Sequence, residues 1–226
     1  MSPSLPRRLF AEALGSALLT GVVIGSGILA VQLSAGNDAV ALIGNTAATA
    51  AILVVLITGL GPVSGAHFNP AVSLVMALRG ALKPGEAAAY GLVQVLGCCA
   101  GAVLAHAMFE LPLLQAGAAD PAGAGKLLAE AVASFALVFA ILSSTRHRPD
   151  WTPAIVALVI TAGYWWTSST SFANPAITVA RSLTDSFAGI RWIDAPGFVL
   201  AQLVGAVAGS LACDALFGRD RGDVAT

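Results

Sequence analysis

Charge is what this chain most lacks. Asp, Glu, Lys and Arg make up 10% of its 226 residues, against about 25% in an ordinary soluble domain. The formal net charge is −1, so no nucleic-acid partner is expected. Cysteine is also sparse. Cys98, Cys99 and Cys213 are odd in number, sit in apolar stretches and show no CxxC or His/Cys ligand spacing. They read as small core residues rather than disulfides or metal ligands. His67, His106 and His147 are dispersed. With no Ser/His/Asp set, paired metal ligands or phosphate loop, the chain is not expected to be an enzyme or to hold a metal or cofactor. What fills it is apolar: 57% hydrophobic residues and a mean hydropathy of +0.84. That composition predicts a polytopic helical protein of the lipid bilayer, without an obvious soluble domain.

Six spans are predicted, at approximately Leu9–Leu33, Ala39–Leu60, Gly85–Phe109, Lys126–Thr145, Pro153–Ser168 and Pro196–Phe217. The fifth is short and runs into polar Thr167-Ser168-Ser169-Thr170. Arg7-Arg8 before the first span imitates a signal peptide, but the apolar stretch is too long and lacks a clear cleavage site. Six spans put both termini on one side. Arg7, Arg8, Arg79, Lys83, Arg146, Arg148, Arg219 and Arg221 fall on that side, and only Lys126, Arg181 and Arg191 on the other. The imbalance predicts cytoplasmic termini in a multi-pass protein; the membrane expected is the plasma (cell inner) membrane. Arg146-His147-Arg148 reads as a solvated cytoplasmic loop. Trp165-Trp166 reads either as a pair of interfacial anchors or as a narrowing of an entrance.

The chain repeats itself. AEALGSALL from Ala11 matches AEAVASFAL from Ala129, which pairs Glu12 with Glu130. LVQVLGCCAGAVLAHAMF from Leu92 matches LAQLVGAVAGSLACDALF from Leu200, which pairs Gln94, Gly97 and Gly101 with Gln202, Gly205 and Gly209. Three spans per half is an odd number, so the second half enters the membrane from the opposite side. The halves, about 1–115 and 116–226, form one inverted repeat with its site near the midplane. The GxxxG pairs read as helix-packing glycines.

Asn69-Pro70-Ala71 recurs as Asn174-Pro175-Ala176. Asn suits an N-cap and Pro the first helical position. Short-helix material follows each triplet, Val72–Arg79 and Ile177–Leu183. About ten residues rise roughly 15 Å, half of a hydrocarbon core about 30 Å thick. Two such half-helices entering from opposite faces meet at the middle. The preceding segments, Gly61–Phe68 and Thr167–Ala173, are too rich in Gly, Pro, Ser and Thr to be spans. Irregular backbone at that depth is tolerated only inside protein or beside water. The expected result is a path with carbonyl acceptors on either side of two free Asn NH2 donors. Each helix N-terminus carries roughly half a positive charge, so cations and hydronium are disfavoured there while neutral hydroxyl-bearing molecules are not. Inverted repeats with broken helices also occur in proton- or ion-coupled transporters of small solutes, the alternative reading.

These residues together resemble the aquaporin or major intrinsic protein family over essentially the whole chain. SGAHFNPAV at Ser64–Val72 and SFANPAITVAR at Ser171–Arg181 match its two loops. The resemblance implies an all-α membrane protein of six transmembrane helices plus two re-entrant half-helices, and a homotetramer with a pore in each subunit. It implies a channel domain passing small neutral solutes such as water and glycerol-like polyols. Asn69 and Asn174 would be central donors, and the carbonyls of Gly65, Ala66, His67, Thr170, Ser171 and Phe172 would line the path. Glu12 and Glu130 would accept hydrogen bonds from the loops; an acidic residue in a span also suggests proton coupling, but the matched placement favours an anchor. His67 fits a backbone role with a packed ring better than titratable gating.

The chain departs from the family where an Arg usually follows the second triplet. Ile177 stands there, and Arg181 comes one turn later on the same helix face. Arg181 either tunes the outer mouth or reaches external headgroups. Counting from the triplets carries the other filter positions to Thr49, Ser171 and Ala162, with Tyr164 in place of Ala162 if the loop is shorter. Thr49, Ser171 and Ile177 suggest a wider, less cationic filter than in a strict water channel. The NPA-x-T-x-A-R pattern resembles bacterial channels associated with arsenite, a polyol-like trihydroxide when neutral.

Overall fold

A computed structural model describes residues 3–119 and 122–219. Arg221, counted above among the cytoplasmic-side cations, lies outside the described residues. Those residues form α1 (Leu5–Leu33), α2 (Asp38–Ser64), α3 (Pro70–Leu78), α4 (Pro84–Met108), α5 (Ala124–His147), α6 (Thr152–Trp166), α7 (Pro175–Arg181) and α8 (Ala195–Phe217). Local chemistry sets the starts. Proline occupies the first or second position of α1, α3, α4, α6, α7 and α8, where a helix has no use for its missing N–H. α2 starts on a side chain instead: Asn37 Oδ1 accepts from the N–H groups of Ala39 and Val40 at 3.0 and 3.2 Å.

Five helices, α1, α2, α4, α5 and α8, are long and apolar enough to cross a membrane. α6 is the sixth crossing, at 15 residues, with a 3-10 turn at Pro149–Trp151 ahead of it. α3 and α7 have nine and seven residues, so each rises only about 10–14 Å and covers part of the depth. Two boundaries differ from expectation by four residues: α1 begins at Leu5 rather than Leu9, and α2 runs on beyond Leu60. α2 continues through Pro62 to Ser64 and stops at Gly65, a left-handed cap with φ of 88°. Pro62 is tolerated because its φ is helical and the helix ends within a turn, so few backbone bonds are lost.

Packing repeats between the halves. α1 lies against α4 and α2, and α5 lies against α8 and α6. The halves join through α2 with α6, α7 with α4, and α3 with α8. Glycine makes the tightest contacts possible. Gly97 and Gly101 of α4 sit on the carbonyls of Ala13 and Ala17 of α1. Gly205 and Gly209 of α8 sit on those of Ala131 and Phe135 of α5. A Cβ at any of the four would overlap backbone that cannot move away. Outward, leucines such as Leu33, Leu92, Leu200 and Leu216 are exposed, which suits a surface facing lipid tails. Trp165 and Trp166 are also exposed, at the end of α6 and outside the central cavity.

A Gly205→Leu chain is expected to lose about 1–3 kcal/mol or more through overpacking, read as a lower Tm in detergent. Gly59→Ala, at a helical glycine with open space around it, is expected to hold or raise Tm, since Ala favours a helix by about 1 kcal/mol over Gly. Equal Tm in both variants would refute the packing role.

Candidate functional site

Two loops, residues 65–69 and 167–174, carry the chain from α2 into α3 and from α6 into α7. Their backbone is held in a conformation that side chains disfavour. Ala66 and Phe68 have φ of 50° and 47°, and Thr170, Ser171 and Ala173 have 60°, 55° and 47°. Each non-glycine residue in this region costs about 1–2 kcal/mol, so something must hold it there. Two buried carboxylates do. Glu12 Oε1 accepts from the His67 N–H at 3.0 Å and the Ser64 hydroxyl at 2.6 Å. Glu12 Oε2 accepts from the Phe68 N–H at 2.7 Å and Gln94 Nε2 at 2.8 Å. Glu130 repeats the device: its two oxygens accept from the N–H groups of Phe172 and Ala173, both at 2.9 Å, and from Gln202 Nε2. Both glutamates are fully buried.

The loop N–H groups are thereby taken up by protein. The carbonyls are not. Those of Gly65, Ala66, His67, Thr170, Ser171 and Phe172 accept no hydrogen bond from any described residue. Ala66, Ser171 and Phe172 are buried, His67 and Thr170 half-buried and Gly65 exposed; backbone carbonyls without protein donors take water or a solute instead.

The triplets meet as opposed caps. Asn69 Oδ1 accepts from Ala71 N at 2.9 Å, and Asn174 Oδ1 from Ala176 N and Ile177 N at 3.0 and 3.3 Å. Their amide nitrogens cross over. Asn69 Nδ2 donates to the Ala173 carbonyl at 2.7 Å, and Asn174 Nδ2 donates to the Phe68 carbonyl at 2.8 Å. The expectation that both NH2 groups are wholly free is thereby corrected. One N–H of each ties its loop to the other half, and one remains.

A cavity of about 300 Å³ runs past both triplets. Its wall includes Thr145 near the C-terminal end of α5 and Thr152 at the start of α6, and Tyr164 and Arg181 near the C-terminal ends of α6 and α7. Gly65, Ala66, His67, Asn69, Ser171, Phe172 and Asn174 line it, and Thr170 does not. Of the filter positions, Thr49, Tyr164, Ser171, Ile177 and Arg181 all line the cavity. Ala162 does not: it faces outward and is exposed. Tyr164, two residues before the end of α6 at Trp166, lines the cavity instead. Its hydroxyl lies 3.4 Å from that of Thr49. Thr49 donates to the Asn45 carbonyl at 2.9 Å, which leaves Tyr164 as the donor between them. Ser171 fits only because Gly163 has no side chain to meet it. Arg181 is buried rather than extended toward headgroups.

Some supporting residues escaped sequence reasoning. Gln94 Nε2 also donates to Ser73 Oγ at 3.0 Å, and Gln202 Nε2 to Thr178 Oγ1 at 2.8 Å. Ser73 and Thr178 each stand four residues after their Asn, so the signal was present in the repeat. His67 Nδ1 lies 3.0 Å from Ser73 Oγ, and its ring packs 5.4 Å from that of Tyr90. Arg79, at the end of α3, pairs with Asp214 of α8 at 2.6 Å, a contact that no spacing announces.

Comparison with known proteins follows the same geometry. Residues 1–166 match the family model described as Major intrinsic protein. The chain is 56% identical over 203 residues to Aquaglyceroporin AqpS of Rhizobium meliloti, covering 90% of this chain and 87% of that one. It is 30% identical over 235 residues to Aquaporin Z of Brucella melitensis, covering 94% and 99%. Among solved structures, the aquaglyceroporin from Plasmodium falciparum shares the fold, with a TM-score of 0.66 at 18% identity over 93% of this chain and 95% of that one. The chain belongs to the major intrinsic protein family.

Glu130→Gln leaves one oxygen where two accept three donors. A buried group without its partner costs about 1–3 kcal/mol, so Tm in detergent is expected to fall and solute permeability with it. A variant with unchanged Tm and permeability would show that the carboxylate does not hold the second loop.

Proposed function

We propose that the chain is a passive channel of the plasma membrane for small uncharged solutes: water, glycerol-like polyols and neutral arsenite. Both termini are cytoplasmic in this reading, supported by the eight basic residues on the terminal side against three on the other. Each chain is one channel domain built from the repeats at about 1–115 and 116–226, with its own pore. The observation that carries the proposal is the row of loop carbonyls without protein donors, in a cavity where two helix N-termini face each other. A solute hands its hydroxyl hydrogens along these acceptors and accepts the remaining N–H of Asn69 and Asn174 at the centre. Cations meet the positive ends of α3 and α7 there and are repelled.

The carboxylates do not favour coupling to protons. Glu12 and Glu130 spend their oxygens on loop N–H groups and Gln side chains, and neither lines the cavity. The solute range rests on the filter. Hydroxyls of Thr49, Tyr164 and Ser171 face an apolar wall at Ile177, which suits a small molecule with both hydroxyl and apolar edges. The names of the relatives support this reading, since one printed as an aquaglyceroporin is 56% identical. The exposed apolar faces and the family likeness support a homotetramer; light scattering of the detergent-solubilised protein checks it, and a monomer would overturn it.

Stopped-flow swelling of proteoliposomes tests the function. Water and glycerol permeability are expected to exceed those of empty vesicles, and solute is expected to equilibrate without accumulating under an imposed pH gradient. Accumulation against a solute gradient would overturn the channel reading. Ile177→Arg is expected to lower glycerol permeability by about tenfold or more, with a much smaller loss for water. An equal loss for both would remove Ile177 from the filter.

A further inference from the structure

The cation of the outer filter stands in an unusual place, and a ring holds it there. This inference rests on the channel reading above. Arg181 belongs to the last turn of α7, one turn beyond Ile177. It is 5% exposed, and no described carboxylate forms an ion pair with it. Its Nε donates to the Ala188 carbonyl. Among the described residues, its two terminal amino groups have no protein acceptor, and the residue lines the cavity.

What faces the guanidinium is Phe172, with Cζ 3.3 Å from the ring centroid. The negative face of an aromatic ring attracts a cation, and more strongly where water is excluded. Phe172 is itself fixed. Its N–H donates to Glu130, and its ring stands edge-on to Phe198 of α8, with centroids 5.2 Å apart and planes at 66°. The stack Phe198, Phe172, Arg181 thus runs from α8 to the lumen. The matching position of the first loop, two residues before Asn69, holds His67, whose ring hydrogen-bonds Ser73 instead.

We infer that Phe172 is a positioning residue of the outer filter: it carries the guanidinium of Arg181 on its ring face, so that the free N–H groups of Arg181 stay in the wall shared with Ile177 and Tyr164. Phe172 acts on solutes through Arg181. Without the ring the guanidinium turns toward external water. The filter then widens and loses its cation, and polyols gain relative to water.

The glycerol-to-water permeability ratio of proteoliposomes reads this directly. Phe172→Leu is expected to raise the ratio by at least about threefold, within what a cation–π contact is worth even at an exposed site. Phe172→Tyr, which keeps an aromatic face, is expected to return the ratio toward that of the unaltered chain. In an Arg181→Ala background, Phe172→Leu is expected to change the ratio no further, because the partner through which it acts is gone. Should Phe172→Leu fail to run as a monodisperse peak in detergent, Phe172→Met serves in the same cycle. An unaltered ratio in Phe172→Leu, or the same shift with and without Arg181, overturns the inference while the channel reading stands. If proteoliposomes of the unaltered chain are no more permeable than empty vesicles, the channel reading falls and takes this inference with it.

Discussion

Two carboxylates decide which way the backbone of the re-entrant loops faces. At membrane depth every N–H and C=O must find a partner, and water is scarce. Glu12 and Glu130 gather adjacent N–H groups onto their oxygens, so those groups turn into the protein. The carbonyls of Gly65, Ala66, His67, Thr170, Ser171 and Phe172 are left without donors from the described residues. The left-handed conformations of Ala66, Phe68, Thr170, Ser171 and Ala173 are the local cost, and they persist because the surrounding bonds over-determine them. Acceptors left over from the loop backbone thus add polar points to a mostly apolar cavity wall.

The helices serve this arrangement. α1 can deliver Glu12, and α5 can deliver Glu130, because each packs backbone to backbone against a glycine-bearing partner, α4 or α8. Those partners supply Gln94 and Gln202, which tie each carboxylate to Ser73 or Thr178 on the adjoining half-helix. One close contact therefore positions an anchor, a brace and a half-helix together. The core clusters follow this pattern. Phe68 fills the space left by Gly15 and packs among α1, α2, α4, α6 and α7, while α3 packs with α5 and α8.

Much of this was legible in the residues. The fold class followed from scarcity of charge, length of apolar runs and a duplicated triplet. Five span boundaries lie close to where apolar residues give way to polar ones. The end of α2 was misread because Gly61 and Pro62 look like breakers, yet near a helix end they break little. Ala162 and Tyr164 were left as alternatives because counting from a triplet assumes a loop length; of the two, Tyr164 lines the cavity and Ala162 does not. The crossing of the Asn amides was hidden for another reason. It depends on the distance between two segments far apart in sequence, and nothing in either triplet states that distance. Contacts such as Arg79 with Asp214 are invisible in the same way.

The crossed Asn bonds bear on how such a chain is completed during synthesis. When only the first half has been made, Asn69 has no Ala173 carbonyl to reach, and the Phe68 carbonyl has no donor. Both groups are buried in the finished molecule. A half-length chain therefore carries an unmet donor and acceptor that only an oppositely inserted partner segment can satisfy. Taken alone, each half is physically complete only as one member of an antiparallel pair, and the loop linking α4 to α5 makes that pairing intramolecular.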